Sequence, residues 1–312
     1  MLYLIAIFGK NMDRRIKFRH LDAFSAIARA RSFKSAAEQL SLTQPAISKT
    51  LKELEGILGT VLMERSRSGV ALTPDGEVFL QFAEQSTAAL RHGLRSLRAT
   101  DGAAGQLKVG ALPSVVAHLI PQTSVAFTTS NPDTLLEIHE GPHHDLISRL
   151  RSGSLDLVVG RLGRPETVTG LGFEPLYSEE VVIVARPDSA ALAVRAFDAL
   201  EAFRVLYPPR DSAIRSIVAR LLISNGVPLF SNRIESTSAA FGRAVVEGDG
   251  NTVWIISRGV VARDIAAGHL VELDLDTAPT SGAVGIMTRA GAVPSAPTRA
   301  FARLLRQLSR ET

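Results

Sequence analysis

The 312-residue sequence contains no cysteine, which removes several classes of protein at once. Without thiols it has no disulfide bonds, no thiolate metal site and no cysteine nucleophile. Long hydrophobic runs are also lacking, because the apolar run at residues 1–8 is too short to span a bilayer. That run lacks the basic flank and small-residue cleavage site of a secretion signal. We therefore expect a cytoplasmic protein with no membrane partner, and we interpret residues 1–11 as an extension before an alternative start at Met12.

The motifs of common enzyme classes are missing too. We find no G-x-S-x-G nucleophile elbow, no G-x-G-x-x-G and no Walker loop. The His- and Asp-bearing segment 139–145 surrounds a Gly-Pro pair and has no second ligand group at a metal-binding spacing. We interpret it as a solvated loop and helix start, and we expect no enzyme activity, no metal and no cofactor.

The positive charge is concentrated near the N-terminus. Residues 1–100 hold 15 Lys and Arg against 9 Asp and Glu, a net charge of +6, whereas the rest of the chain carries −2. Five of the six lysines precede residue 53. A basic N-terminal segment suits contact with phosphates, so a nucleic acid is the expected partner of this part of the chain.

Residues 32–58 have the pattern of two short helices joined by a tight turn. Thr43 is a good N-cap for the second helix, and Pro45 lies in its first turn, where a missing N–H costs nothing. A helical apolar stripe follows, comprising Ile47, Leu51, Leu54 and Leu58. Helical geometry puts a polar, cationic set without acids on the opposite face: Pro45, Ser48, Lys49 and Lys52. The pattern predicts a helix-turn-helix that reads the DNA major groove.

Two further elements follow this motif. Short strands at 61–65 and 70–72 flank a polar turn and predict a β-hairpin wing, whose Arg65 and Arg67 suit the DNA backbone or a narrow minor groove. A helix then begins at Thr73 and runs to about Ala99, with apolar residues every three to four positions. We predict a dimerisation stem, the alternative being that this helix packs only against its own domain.

Beyond a glycine-rich linker at 101–105, apolar strands alternate with helices, which predicts parallel α/β sheets in two lobes. Ligands of such sheets bind beyond the carboxyl ends of the strands. The candidate effector residues there are Leu112, Pro113, Ser114, Arg161, Pro208, Arg210, Ser236, Thr237 and Ser238. The two arginines and the hydroxyls favour an organic or aromatic acid, and a sugar stays open.

The sequence resembles the LysR-type transcriptional regulators. The resemblance rests on FSAIARARSFKSAAEQLSLTQPAISKTLKELEGILGTVLMER and on ALTPDGEVFL, which match the family pattern almost throughout residues 18–80. The opening KFRHL is similar to the branch that contains regulators of protocatechuate operons and of galactose-binding protein. The rest of the chain resembles the family in architecture alone.

This resemblance implies a winged helix-turn-helix, a linker helix and two periplasmic-binding-protein-like α/β lobes. The implied boundaries are 12–72 for DNA binding, 73–100 for the linker helix, 101–183 with 274–312 for lobe I, and 184–273 for lobe II. Homodimers or homotetramers would bind inverted-repeat double-stranded DNA, contact RNA polymerase and respond to a small inducer. The resemblance implies DNA-reading positions at Thr43, Gln44, Pro45, Ser48 and Lys49 and a wing arginine at Arg65. Our predicted DNA-binding set also includes Ser35, Lys52 and Arg67.

Two other functions stay open at this point. Residues 101–312 alone resemble a solute-binding protein, although the fused basic segment and the lack of a secretion signal argue against that function. An enzyme built on the His139–Asp145 loop would require a tightly bound metal. Our expectation is an effector-switched activator and autoregulator of a catabolic or transport operon.

Overall fold

Three helices surround one apolar core in the N-terminal unit of the computed structural model, which describes residues 15–66, 69–99, 105–163 and 170–310. They are α1 (Phe18–Ala30), α2 (Phe33–Gln39) and α3 (Gln44–Leu58). The side chains of Phe24, Ile47 and Leu54 are fully buried between them. The predicted helix-turn-helix is therefore confirmed as a fold.

A hairpin and a long helix complete this unit. Strand β1 (Met63–Ser66) pairs antiparallel with β2 (Gly69–Leu72), so the predicted hairpin is confirmed, although it begins later than Val61. Helix α4 (Pro74–Ala99) follows at once. The hydroxyl of Thr73 starts it, because Oγ1 accepts the Gly76 amide at 3.0 Å and donates to the Val61 carbonyl at 2.7 Å.

The C-terminal unit contains two five-stranded sheets. The first has the order β4-β3-β5-β12-β6, with helices α5, α6, α7 and α11. Its strands are β3 (Gly105–Ala111), β4 (Thr134–Glu140), β5 (Leu157–Arg161), β6 (Leu171–Glu179) and β12 (Gly282–Arg289). Its helices are α5 (Pro113–Ala117), α6 (Leu119–Ser130), α7 (His143–Arg151) and α11 (Ala296–Leu308). Strand β5 is buried along its whole length, as a central strand covered on both faces should be.

The second sheet has the order β11-β7-β10-β8-β9. Its strands are β7 (Val181–Ala185), β8 (Arg204–Tyr207), β9 (Arg233–Glu235), β10 (Thr252–Ser257) and β11 (Val271–Glu272). Its helices are α8 (Arg215–Ser224), α9 (Ala239–Gly248) and α10 (Arg258–Ala266). We call the two sheets with their helices lobe I and lobe II. No helix in the described parts of the chain is both long and apolar enough to cross a membrane.

The prediction of parallel sheets is wrong for two strands. Strand β12 runs antiparallel to β5 and β6, and β7 runs antiparallel to β10. Both strands enter their sheets from the other lobe, so no helical crossover within one sheet forces them to be parallel. The sequence pattern did not indicate strands β6 and β9 or helix α11, and the helical segment that follows β3 is divided into two helices at His118.

The chain crosses between the lobes twice. In the first crossover only Glu180 separates β6 from β7, so lobe II begins before the predicted boundary at 183/184. The second lies between β11 and β12 and contains a short 3-10 helix at Ala278–Thr280. These two crossovers define the hinge side of the C-terminal unit.

Candidate functional site

The local sequence explains where α3 begins and ends. Thr43 Oγ1 accepts the amide of Ala46 at 3.4 Å, so the predicted N-cap is confirmed. At the other end Gly59 takes a left-handed conformation with φ +72°, and its amide closes the last turn on Glu55. Both signals fix the length of the recognition helix.

The two faces of α3 separate as the periodicity predicts. Ile47, Leu51 and Leu54 are buried. The opposite face holds the exposed side chains of Pro45, Lys49 and Lys52 with the half-buried Ser48, and Gln44 is exposed at the N-terminal end of the helix. Thr43 is exposed at the same end of the helix. The structure therefore brings six of the predicted DNA-binding residues onto one surface, which we call the α3 outer face.

The acids of α3 are held away from this surface by neighbouring elements. Glu53 Oε2 lies 3.2 Å from Arg19 Nη2 and 3.4 Å from His20 Nε2, both on α1. Desolvation opposes its ionisation, but the contacts with His20 and Arg19 hold the pKa of Glu53 below its usual range. Glu55 Oε1 accepts the amides of Leu62 and Met63 and so fastens the hairpin to α3. The sequence did not indicate these two positioning roles.

The remaining predicted DNA-binding residues lie on α2 and the wing. Ser35 is half-buried in the first turn of α2, where its amide donates to Ser32 Oγ at 3.3 Å. Arg65 lies in β1 opposite Val70. Arg67 lies outside the described residues, so the structure does not test the predicted tip of the wing.

A cavity of about 330 Å³ lies in the C-terminal unit between the two lobes, within the size range of small-molecule sites. Eight of the nine predicted effector residues line it: Leu112, Pro113, Ser114, Arg161, Pro208, Ser236, Thr237 and Ser238. Arg161 is the last residue of β5 and the others follow β3, β8 and β9, so they lie where the rule that ligands bind at the carboxyl ends of strands predicts. Ser238 also caps α9, accepting the Phe241 amide at 3.2 Å.

Arg210 does not belong to this set. It lies in the turn after β8 with its side chain exposed and does not line the cavity, although its neighbours Pro208 and Asp211 do. A position shortly after a strand end therefore does not ensure that a residue lines the cavity, because a turn can direct its side chain to solvent. The sequence predicted that two arginines would face the ligand, but only Arg161 lines the cavity.

Arg161 lines the cavity, but its guanidinium already binds other groups of the protein. Its side chain is 4% exposed, and both Nη atoms donate to backbone carbonyls, those of Thr280 and Glu179. Burial lowers the pKa of this guanidinium, whereas the charge of Glu179 raises it. The sequence alone did not distinguish a ligand-binding arginine from one bound to its own backbone.

Several cavity residues were missed by the sequence analysis. The segment 140–143, interpreted as solvated, contributes to the wall, and His143 at the start of α7 is buried there. Others come from 211–214 and from the junction of β10 with α10, including Ser257 and Val260. The segment 140–143 follows the end of β4, so the rule used for Ser114 was the signal that could have found it. Among the described residues no group of three His, Asp or Glu could hold a metal ion.

The comparisons with known proteins agree for the helix-turn-helix segment and for the C-terminal unit. Residues 18–77 match the model of the bacterial regulatory helix-turn-helix proteins of the lysR family, and residues 100–310 match that of the LysR substrate binding domain. The chain is 42% identical over 303 residues to the HTH-type transcriptional regulator PcaQ of Agrobacterium fabrum, covering 96% of this chain and 97% of the relative. The Escherichia coli regulator YdcI is 34% identical, covering 95% and 96%. A full-length OxyR variant from Pseudomonas aeruginosa superposes with a TM-score of 0.62 and 26% identity, covering 93% of this chain and 95% of that one.

Proposed function

The chain belongs to the LysR family of bacterial transcriptional regulators, and from that premise we propose that a small molecule bound in the inter-lobe cavity switches its action on DNA. The protein would activate a catabolic or transport operon and regulate its own gene from the cytoplasm. The observation that carries this proposal is the cavity, because both lobes contribute walls to it. A ligand that touches both walls favours one lobe arrangement over another.

DNA recognition is assigned to the α3 outer face. Gln44 and Ser48 can reach base edges in the major groove, and Lys49 and Lys52 can contact phosphates. Ser35 and Thr43 lie at helix N-termini, where backbone amides also bind phosphates. Arg65 and Arg67 would follow the DNA backbone from the wing. The expected target is an inverted repeat, and contact with RNA polymerase would link binding to activation.

Gln44→Ala is expected to reduce discrimination among sites by about 1–3 kcal/mol, or roughly 5- to 150-fold, because an amide to base contact is lost. Footprinting on DNA upstream of the gene, followed by titration of matched and mutated sites, measures this. Lys52→Ala is the control, since loss of a phosphate contact weakens binding to all sequences alike. A Gln44 variant with full discrimination would contradict the assignment.

Two apolar surfaces support a dimer or tetramer. On α4, Val78 and Phe82 are about 60% exposed. In lobe I, Val125 on α6 and Leu135 on the edge strand β4 are also exposed. Exposed apolar patches of this kind are typical of protein interfaces. We assign α4 to the dimer of DNA-binding units and the lobe I surface to association of regulatory domains.

The effector is a small organic acid, an aromatic acid or a sugar. A thermal-shift screen of benzoates, dicarboxylates and monosaccharides on the full chain tests this, because a ligand at 100 times its Kd stabilises by about 2.7 kcal/mol. Thr237→Trp, at an exposed position in the wall, should abolish the shift by filling the cavity. Arg210→Ala is the matched control and should retain it. A shift retained in the Thr237 variant and lost in the Arg210 variant would place the ligand outside the cavity.

A further inference from the structure

Two buried side chains of opposite charge lie where the chain crosses between the lobes. Arg161 ends β5 and Glu179 ends β6, and they are 4% and 5% exposed. Glu179 Oε2 lies 4.0 Å from Arg161 Nη2. We call these two residues the crossover pair. Burial of two charges is costly unless each is well paired, so their placement here calls for a structural role.

Arg161 connects the two crossovers to each other. Nη2 donates to the carbonyl of Glu179 in the first crossover at 2.6 Å, and Nη1 donates to the carbonyl of Thr280 in the second at 2.9 Å. Thr280 Oγ1 in turn accepts the amide of Val181, the first residue of β7, at 2.9 Å. A guanidinium is suited to this because its donors have a fixed planar arrangement. Neither crossover can therefore shift alone without losing a buried hydrogen bond.

Glu179 connects the lobes through its side chain. Oε1 accepts the amide of Gly259 in α10 of lobe II at 3.1 Å. A Cβ at position 259 would lie 2.5 Å from Oε1, so only glycine permits this approach. Burial raises the pKa of Glu179, while the charge of Arg161 lowers it. A carboxylate carried by lobe I thus accepts a backbone hydrogen bond from lobe II.

Arg161 of the crossover pair also borders the cavity. Arg161, Ser114 and Ser257 are all cavity-lining residues. Arg161 Nε has no hydrogen-bond partner within the described parts of the chain. A ligand acceptor that binds Nε would act on the same guanidinium whose Nη atoms hold the two crossovers.

We propose that Arg161 and Glu179 are positioning residues that fix the arrangement of the lobes and transmit occupancy of the cavity to both crossovers. The second part of this inference rests on the proposed effector function. The first part does not, because it concerns the ligand-free protein and is tested without any ligand.

The cysteine-free chain allows a direct test by spin labelling. Arg220→Cys on α8 and Arg303→Cys on α11 place one label on the exposed surface of each lobe. Pulsed electron–electron double resonance on full-length protein, diluted with unlabelled chains, then gives the distribution of distances between the two labels within one chain. We expect a narrow distribution in the parent and a broader, shifted one in Arg161→Met, which removes both Nη donors. Arg161→Lys should fall between them, because one ammonium retains the charge without the planar pair of donors.

Arg289→Met is the matched control. Arg289 is also buried, and its Nη1 donates to the carbonyls of Leu150 and Leu155, both in lobe I. This variant should lower the melting temperature yet leave the distribution between lobes unchanged. Equal broadening in both methionine variants would overturn the proposal, since general loosening would then explain the result.

Glu179→Gln keeps the test decisive if Arg161→Met does not fold. It retains the shape of the side chain but leaves the buried Arg161 charge without its counter-charge, so a shifted distribution is again expected. A distribution identical to the parent in a folded Glu179 variant would overturn the proposal. Because no ligand is added, these outcomes are independent of the effector screen and of DNA binding.

Discussion

Gly76→Ala is expected to destabilise the N-terminal unit by about 3 kcal/mol and to abolish specific DNA binding. Gly76 is buried in the first turn of α4, where a Cβ would lie 2.0 Å from the carbonyl oxygen of Leu62 and 3.2 Å from the side chain of Leu72. The first of these atoms belongs to the backbone and cannot rotate away. The helix would have to move off the hairpin and lose the bond from the Gly76 amide to Thr73. Calorimetric unfolding and a gel-shift titration measure the two effects.

Gly56→Ala is the matched control for this substitution. Gly56 lies exposed within α3, and a Cβ there would meet nothing within 4 Å. Alanine should stabilise the helix by about 0.5–1 kcal/mol, since glycine is entropically costly in a helix interior. If Gly76→Ala were as stable as Gly56→Ala, the close approach of α4 to Leu62 would be wrong.

The N-terminal unit is the part that the sequence predicts best, because its information is local. Spacings of three and four predicted that Ile47, Leu51 and Leu54 are in the core. Helical geometry then predicted which residues lie on the opposite, exposed face. Thr43 and Gly59 mark the ends of α3 through bonds to residues at most four positions away. Gly76 lies in the segment ALTPDGEVFL that carries the LysR resemblance, but the steric reason for glycine there appears only in the structure.

The C-terminal unit was predicted less well because its determinants are distant in sequence. The antiparallel β12 joins β5 and β6 only after the chain has passed through lobe II. Arg161 bonds to Glu179 and to Thr280, which are 18 and 119 residues away. No periodicity carries that information, so an arginine at a strand end could be interpreted only as a candidate ligand residue. Strand β6 was missed because most of its residues are only partly buried, so its sequence lacks the apolar run that marks a buried strand.

The predicted apolar stem on α4 divides in the structure into two surfaces. Phe79 is half-buried and its ring centroid lies 5.4 Å from that of Phe24, so it belongs to the core of its own unit. The exposed surface is formed instead by Val78, Phe82, Leu90 and Leu94. Packing against its own domain is therefore confirmed for the face that carries Phe79, and the dimerisation stem stays a prediction for the exposed face.

Phe82→Glu is expected to raise the dissociation constant of the proposed α4 dimer at least about 100-fold. Phe82 is 61% exposed in the single chain, and burying a Phe contributes about 1.5–3 kcal/mol. A two-fold interface uses the residue twice, so the loss is roughly 3–6 kcal/mol before the cost of burying a carboxylate is added. Sedimentation equilibrium measures the association. Affinity for a full inverted repeat should fall steeply, whereas binding to one half-site should change little.

Gln81→Glu separates the apolar contact from the added charge. Gln81 is the exposed neighbour of Phe82 on α4, and glutamate there adds the same charge without removing apolar surface. Because surface charges contribute little and are screened by salt, its dimer should persist at physiological ionic strength. If the Phe82→Glu protein still sediments as the parent does, the assignment of the dimer contact to α4 is wrong. The exposed lobe I surface around Val125 and Leu135 would then be the remaining candidate, and Leu135→Glu would be the variant that dissociates the chains.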